Sequence, residues 1–506
     1  MTEARTVSIL LHAHLPFGMR PELAISLEEC WLYEAVANCY LPLLELIGSL
    51  PKTRAPMLAV SLSPTLLELW AHPQFTDRFA KHLERYADIL SAEEANQSLP
   101  PERRKLAQQF RLESQRLANR FLNQGESLPN QWRALAAADK VELLTTAATH
   151  AFLPAYQQSP LGRSLQIRLG METFERRIGR RPKGFWLPEC AYYPGLEEDL
   201  AHEGVAWFAV ENMGGPVVTQ CPNGVQAIAR NSALSRKVWD AQTGYPGHAS
   251  YREFHRDAVF ELTHAQAGLY RLPDGSSLPL GLKYWRISGS SHKEWYCPPT
   301  ARAQAEADAD EFLTALKQDD SETIFLPFDA ELFGHWWHEG PQWLRQLLNQ
   351  GNIMPAIDFA APSAALERLN DIPEAQPIAS TWGRRSDYSF WINNETDWIY
   401  PLLQSAEKSL EAVWCGSSQS PLRDRAIRQL MRELLLAQAS DWPFMLRAEA
   451  TAQYAEERLR RHLGRFHFLL RQIQSNEIDH KTLAALEQLD PIFPDLNTQP
   501  DLYFQA

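Results

Sequence analysis

The chain has 506 residues, more than the ~250–300 at which a single hydrophobic core stops growing, so we expect one large domain and at least one smaller one. Hydrophobic residues make up 45% and charged residues 22%, and no apolar run approaches the ~18 residues that a membrane span requires. The formal charge of −13 would repel a phosphate backbone. We therefore expect neither a membrane nor nucleic acid as a partner, and neutral substrates fit better.

Three further features narrow the class of protein. The N-terminal residues MTEARTVSIL lack the basic and long apolar regions of a secretory signal, which predicts a cytoplasmic protein. The six cysteines form no CxxC pair, which argues against a structural zinc site and a disulfide framework. The 16 tryptophans exceed what core packing needs, and indole rings in a cleft stack well on sugar rings.

Short apolar, β-branched runs recur along the first 390 residues, and each predicts a buried strand. Helical patterns such as Glu28–Leu46 and Thr65–Trp70 lie between several of them. Strand and helix in alternation indicate parallel βα units, so the predicted fold is an α/β barrel. The predicted strands are Val7–Leu11, Met57–Leu62, Val141–Thr146, Gly184–Leu187, Val205–Val210, Leu282–Ile287, Thr323–Phe328 and Ile378–Trp382.

Two regions depart from this alternation. Residues 73–140 form a charged block with helical periodicity and no strand signal, which predicts a helical insertion that walls the cleft. Strand signals stop near residue 394, and Arg423–Ala439 and Ala450–Ser475 carry apolar residues at three- and four-residue spacing. We therefore predict a catalytic domain over residues 1–394 and an α-helical domain over 395–506.

Polar residues follow the predicted strands where each strand ends. In a parallel barrel these carboxyl ends converge on one face, so the residues would meet in a single site. One polar residue at a strand end is usually structural, but five successive strand ends make that interpretation improbable for the set. The residues are His12 and His14, His150, Glu189, Glu211 and Asn212, and Asp329, Glu331 and His335.

Two carboxylates are the minimum for glycosidic chemistry, one attacking the sugar and one donating a proton to the leaving oxygen. Glu189 and Asp329 are the predicted pair, because each ends an apolar run and would be held on a rigid element. Glu331 would point the opposite way if its strand continued, which favours a supporting role.

The motifs around these residues resemble glycoside hydrolase family 57, and within it the 1,4-α-glucan branching enzymes. WLPEC followed in order by FDAELFGHWW is the most specific part of the resemblance, which spans most of the chain. The motifs are HAHLP (12–16), WLPECAY (186–192), VWDAQTGYPGHASYREFHRD (238–257), PFDAELFGHWWHEG (327–340), STWG (380–383) and ASDWPF (439–444).

The resemblance implies an incomplete (β/α)7 barrel with a helical C-terminal domain and a retaining mechanism without a metal or cofactor. It implies that Glu189 is the nucleophile, that Asp329 is the general acid/base, and that the substrate is an α-1,4-glucan. Tyr245 lies in a segment that resembles the family's mobile loop over the cleft, where Gly244 and Gly247 give hinge freedom. The other predicted substrate contacts are His12, His14, His150, Trp285, His335, Trp382, Trp391 and Asp441.

Three alternatives stay open at this stage. The segment before Lys283–Trp285 is short for a branching enzyme of the family, and PFMLRAEAT follows Trp442 in place of a small, polar segment, so the chain could be a family 57 α-glucan hydrolase with weak branching. Three histidines and Asp329 would also suit a metal-dependent barrel hydrolase. The third alternative is a glucan-binding protein without turnover.

Overall fold

The computed structural model describes residues 4–20, 22–272, 274–415, 420–448, 450–499 and 503. The described residues form one nine-stranded sheet in the order β6-β7-β5-β4-β3-β2-β1-β8, with β9 also paired to β1. All pairs are parallel except β6 with β7. The strands are β1 (Arg5–Ala13), β2 (Leu58–Leu62), β3 (Glu142–Thr146), β4 (Gly184–Trp186), β5 (Trp207–Val210), β6 (Val218–Gln220), β7 (Gln226–Ala229), β8 (Thr323–Asp329) and β9 (Ile357–Phe359).

The central strand β1 explains how the sheet forms. Its last seven residues are buried, as expected for a strand covered on both faces by helices. Its register places His12 opposite Ser61 of β2 and Asp329 of β8. The carboxyl ends of these parallel strands therefore lie at one edge of the sheet.

Helices cover the faces of the sheet, and the first of them show how their starts are fixed. Ser26 and Glu29 form a capping box at the start of α1, and Ser63 caps α3. The predicted single helix over Glu28–Leu46 is two α-helices joined by a π-helical turn at Val36–Tyr40. The helices up to β9 and just beyond are α1 (Leu27–Ala35), α2 (Leu41–Ser49), α3 (Pro64–Ala71), α4 (Phe75–Ala95), α5 (Pro101–Gln124), α6 (Leu128–Ala137), α7 (Pro160–Ile178), α8 (Leu196–His202), α9 (Ser232–Trp239), α10 (His264–Ala267), α11 (Pro298–Gln318), α12 (Gly340–Asn352) and α13 (Pro362–Leu366).

The last part of the described chain is helical, as predicted, and its helices pack back onto the barrel. Arg458 on α17 reaches α1, where it forms a buried ion pair with Glu28 and donates to the carbonyl of Phe17. The division of the chain at residue 394 stays a prediction. These helices are α14 (Ile399–Trp414), α15 (Pro421–Ala437), α16 (Asp441–Leu446), α17 (Ala452–Ser475) and α18 (His480–Leu489).

The predicted fold class is confirmed: the curled sheet and its helices form an incomplete (β/α)7-type barrel with a helical insertion, α4 to α6, and helices at the C-terminal end. No helix in the described ranges has the length and apolar character needed to cross a membrane. The insertion lies between the second and third strands, where the sequence pattern placed it.

Two predicted strands are wrong. Leu282–Ile287 joins no strand of the sheet and makes only isolated bridges, because its apolar side chains, among them Leu282 and Tyr284, are buried in the packing of irregular chain against other elements. Ile378–Trp382 makes one isolated bridge, from Ser380 to Tyr192. The strands β6, β7 and β9 were not predicted, since three or four residues carry too little pattern to separate them from loop.

Candidate active site

The turn that carries Glu189 lies directly after β4. Pro188–Cys190 forms a short 3-10 turn in which Glu189 has a φ of 62° and Cys190 a φ of 47°. His150, after β3, has a φ of 58°. Non-glycine residues rarely adopt this left-handed conformation, and strain of this kind concentrates at functional sites because surrounding packing must hold it in place. The backbone thus fixes the direction of both side chains.

The Glu189 carboxylate is held by two hydrogen bonds. Trp382 Nε1 donates to Oε2 at 2.9 Å and Ser440 Oγ donates to Oε1 at 2.9 Å, while His150 Nδ1 lies 3.8 Å from Oε1. Burial raises the pKa of Glu189, and the two hydrogen bonds oppose that rise because they favour the ionised form. Glu189 is therefore an oriented carboxylate with its charge stabilised by fixed donors.

Asp329 stands in a different environment at the end of β8. Burial raises the pKa of Asp329 well above its usual range, and the negative charges of Glu331 and Glu189 raise it further, whereas Arg230 opposes them. Glu331 accepts hydrogen bonds from the backbone of His14 (3.0 Å) and from Tyr40, and its own pKa rises to about 7 mainly through burial. Burial and the neighbouring carboxyl groups therefore favour the protonated form of Asp329, which suits it to donate a proton.

Three imidazoles line the space beside these carboxyl groups. His12 Nε2 and His150 Nε2 are 2.9 Å apart, the rings of His14 and His150 stack at 4.1 Å, and His12 stacks on Trp186 at 4.6 Å. His14 Nε2 is 3.1 Å from the Asp441 carboxylate, which the C-terminal helices supply. Burial lowers the pKa of His12 and of His150, so both stay neutral and offer hydrogen-bonding groups without charge.

The metal-dependent alternative is not supported by this geometry. His12 Nε2 and His150 Nε2 lie 2.9 Å apart, but among the described residues neither His14 nor Asp329 brings a third ligand atom close enough to share an ion with them. Across the described ranges, the one group of three ligand-type side chains close enough to share an ion lies in the C-terminal helices. Its members are Glu433, His462 and Asp490.

The structure brings together seven of the residues predicted to take part in catalysis or to contact the substrate. Each of them either touches another member of the set, lies opposite one in the sheet, or lines the same small pocket beside Asp329. They come from the ends of β1, β3, β4 and β8, from the chain after β9 and from the start of α16, so the site depends on the whole barrel and on the C-terminal helices. The seven are Glu189, Asp329, His12, His14, His150, Trp382 and Asp441.

Four other predicted residues make different contacts, and their roles stay predictions. Trp391 is buried and stacks on Phe152 at 5.1 Å. Trp285 stacks on Trp295 at 4.2 Å and donates to Glu261. His335 Nδ1 lies 3.9 Å from Glu34 Oε1, and Tyr245 packs against Trp343 and Phe312.

Tyr245 is folded against the barrel wall in this conformation. Its ring lies 6.1 Å from that of Trp343 and 6.2 Å from that of Phe312, and its hydroxyl donates to Glu311. A β-carbon at Gly244 would lie 2.6 Å from backbone oxygens, so this glycine serves close packing here rather than the hinge freedom inferred from sequence. A role over the cleft requires this segment to move.

Sequence reasoning missed residues that line the cleft beside Asp329. A pocket of about 210 Å³ there is bordered by Asp329 and Trp382 together with Arg230, Trp239 and Trp336. Trp239 is 46% exposed and Trp336 is 44% exposed, so each presents an indole face to solvent. The motif GHWW contained the signal for Trp336, but the sequence could not show which of its two tryptophans is exposed.

An open barrel with two partly buried carboxyl groups at the carboxyl ends of its strands is the arrangement that enzymes acting on glycosidic bonds use. The family model "Glycosyl hydrolase family 57" matches residues 8–374, and the chain belongs to that family. A second model, "1,4-alpha-glucan branching enzyme, C-terminal", matches residues 402–500. The family resemblance drawn from the motifs is thereby confirmed.

Relatives and solved structures agree with this placement. A 1,4-alpha-glucan branching enzyme of Thermococcus kodakarensis is 30% identical, over 96% of this chain and 77% of that protein. The alpha-amylase AmyC from Thermotoga maritima superposes with a TM-score of 0.90 at 32% identity, over 99% of both chains. A family 57 branching enzyme from Pyrococcus horikoshii superposes with a TM-score of 0.85 at 26% identity, over 99% of this chain and 97% of that one.

Proposed function

We propose that this chain is a 1,4-α-glucan branching enzyme, which cleaves an α-1,4-linked glucan and re-attaches the freed segment through an α-1,6 linkage. One observation carries the proposal: two partly buried carboxyl groups of one site have opposite environments. Glu189 accepts two hydrogen bonds that favour its charge, whereas Asp329 faces two other carboxyl groups that favour its proton. That difference is what a nucleophile and a general acid require. The matches to branching enzymes support the same function.

In the proposed first step, a Glu189 oxygen attacks the anomeric carbon while the bond from that carbon to the leaving oxygen breaks. Asp329 gives its proton to the leaving oxygen, so a neutral chain end departs and a glucosyl ester forms on Glu189. Trp382 and Ser440 keep the Glu189 carboxylate in place for the attack. Asp329 is left as a carboxylate, ready to accept a proton.

In the proposed second step, the 6-hydroxyl of another glucan attacks the same carbon and gives its proton to Asp329. The ester bond breaks, Glu189 returns as a carboxylate, and the new linkage has the configuration of the old one. Water would give hydrolysis through the same step. The exposed rings of Trp239 and Trp336 beside Asp329 provide surfaces on which an acceptor glucan can stack.

A second candidate function is α-glucan hydrolysis with weak branching. The observations that favour it are the superposition on an alpha-amylase with a TM-score of 0.90 and the position of Tyr245, which packs against the barrel wall and leaves the cleft beside Asp329 accessible. Both functions use the same two carboxyl groups. They differ in which acceptor reaches the glucosyl ester first.

The test is to incubate the purified protein with amylose and to count new α-1,6 linkages against new reducing ends. We expect linkages to exceed reducing ends in the wild type, and the opposite ratio would favour the hydrolase. Tyr245→Ala should lower the ratio, and Tyr245→Phe, which keeps the ring and loses only the bond to Glu311, is the matched control. An amylose-like or glycogen-like substrate and a cytoplasmic location stay predictions.

A further inference from the structure

A second cavity lies between the inserted helices α4 and α5 and the helices α11 and α12. Its volume of about 630 Å³ falls within the roughly 300–1,000 Å³ that is typical of small-molecule sites. It shares no lining residue with the pocket beside Asp329. The predicted catalytic chemistry leaves this cavity unexplained.

Arg252 is the residue that points to a ligand. Arg252 is only 6% exposed. Among the described residues, its guanidinium group has neither a hydrogen bond nor a salt bridge, and only its backbone N–H donates, to Glu339. The carboxylates of Glu34 and Glu339 attract its charge, but the N–H groups of the guanidinium lack an acceptor, so a ligand that accepts hydrogen bonds from them inside the cavity would be stabilised. Arg252 lies in the motif VWDAQTGYPGHASYREFHRD (238–257), and it lines this cavity rather than the pocket beside Asp329.

The floor around Arg252 is rich in groups that accept hydrogen bonds. Glu34 forms an ion pair with Lys283, and Glu339 accepts from the hydroxyl of Tyr296 at 2.6 Å while its second carboxylate oxygen has no partner in the described ranges. Among the described residues, five glutamates and four arginines line the cavity. An anionic ligand on Arg252 would face the carboxylates of Glu34 and Glu339, so the lining suits a neutral molecule that both donates and accepts hydrogen bonds.

We propose that this cavity binds a neutral carbohydrate, a short α-glucan segment, separately from the pocket beside Asp329. The proposal rests on the proposed function for the identity of the sugar. Hydroxyl groups of the glucan accept from Arg252 and donate to carboxylate oxygens at the rim, while Leu83, Phe110 and Pro298 supply apolar lining. Such a site would hold the polymer near the enzyme and raise its local concentration at the cleft.

The test measures maltohexaose binding by isothermal titration calorimetry, with Glu189→Gln in every variant so that the sugar is not consumed. We expect two classes of site. Arg252→Met should weaken one class by about tenfold or more, the loss expected when a hydrogen-bonding charge is removed from a ligand. Ala303→Trp, at an exposed position on α11 that lines the cavity, should give the same loss by filling the mouth.

Control variants separate this site from the catalytic cleft. Arg181→Met makes the same substitution at an arginine outside the cavity and should change nothing, while Trp382→Ala should weaken only the other class. A single class that is insensitive to Arg252→Met and Ala303→Trp would overturn the inference, as would binding of inorganic phosphate that Arg252→Met abolishes.

The outcome is distinguishable from that of the proposed function. A wild-type protein inactive on amylose that still binds maltohexaose through Arg252 would refute the branching assignment and leave this site standing. Normal branching without Arg252-dependent binding would refute this site alone.

Discussion

Two buried clusters of charge in this protein are built on opposite principles. At the barrel edge, burial raises the pKa of both Glu189 and Asp329, and the negative charges of Glu331 and Glu189 raise that of Asp329 further. In the C-terminal helices, burial also acts to raise the pKa of Asp490, but His462 and Arg458 outweigh it and the pKa falls. In the C-terminal cluster each charge has a partner of opposite sign, and the pairs contribute to stability. Among the described residues at the barrel edge, Glu189 and Asp329 have no such partner, because the predicted chemistry needs free carboxyl groups.

The largest expected effect is the loss of activity when either catalytic carboxyl group becomes an amide. Glu189→Gln and Asp329→Asn should each lower turnover of amylose by roughly three orders of magnitude or more, because the amide neither attacks nor donates the proton. The melting temperature should stay the same or rise, since an amide has no charge to desolvate at that buried position.

Asp320→Asn, at an exposed acidic residue before β8, is the matched control and should leave turnover unchanged. Turnover within tenfold of the wild type in either catalytic variant would refute the assignment, and a large fall in melting temperature would break the comparison with the C-terminal cluster.

The second effect concerns the paired cluster. Arg458→Met removes the buried cation that contacts Glu28 and leaves only Arg20, whose Nη1 lies 4.0 Å from Glu28 Oε1, so we expect the free energy of unfolding to fall by about 3–5 kcal/mol. Arg460→Met, on the same helix, removes an exposed pair with Glu456 and should cost less than about 1 kcal/mol. Urea denaturation measures the free energy of unfolding of both variants. Equal decreases would show that the contribution of an ion pair to stability does not depend on its burial here.

The sequence could predict those parts of the site that follow from topology alone. His12, Glu189 and Asp329 each follow an apolar run, and parallel strands bring such positions to one edge whatever the details of packing. The same apolar signal failed for Leu282–Ile287, because side chains buried in loop packing produce the pattern of a buried strand. The pattern of apolar residues along a sequence predicts which side chains are buried, but it does not predict whether a strand, a helix or a loop packs against them.

Contacts between distant segments could not be predicted in this way. Ser440 meets Glu189 across 251 positions of the chain, and nothing in its local sequence marks it as a partner of a catalytic carboxylate. Trp336 and Trp337 are adjacent in one motif, yet one is exposed at the cleft and the other is buried. Their difference depends on the turn after β8, which pattern reasoning does not resolve.

A third effect tests whether the raised pKa of a buried acid depends on the lack of a cationic partner rather than on the region of the molecule in which the acid lies. Glu407 lies in the C-terminal helices but has no cation in contact, and burial raises its pKa to about 8. The folded state holds the proton of Glu407 more tightly than the unfolded chain does. The contribution of Glu407 to stability is therefore fully present below about pH 4.5 and is lost as the pH rises towards 8.

Glu407→Gln removes that penalty, so the variant should be more stable than the wild type at pH 8.5 by about 2–4 kcal/mol and nearly equal to it at pH 5. Glu411→Gln, on the exposed side of the same helix, should show no such pH dependence. If the free energy of unfolding differs between wild type and Glu407→Gln by the same amount at both pH values, an unpaired acid in the C-terminal helices does not carry the burial penalty inferred for the carboxyl groups at the barrel edge.

The smallest expected effect is at the cleft surface, where a residue can serve binding without serving stability. Trp336 is 44% exposed beside Asp329, so Trp336→Ala should lower kcat/KM on amylose by about tenfold through lost stacking on the acceptor. The free energy of unfolding should change by less than about 0.5 kcal/mol. Trp337→Ala, its buried neighbour, should instead lose about 3–5 kcal/mol of stability, because a buried indole leaves a cavity. Equal effects of the two substitutions on stability would mean that Trp336 belongs to the core rather than to the cleft.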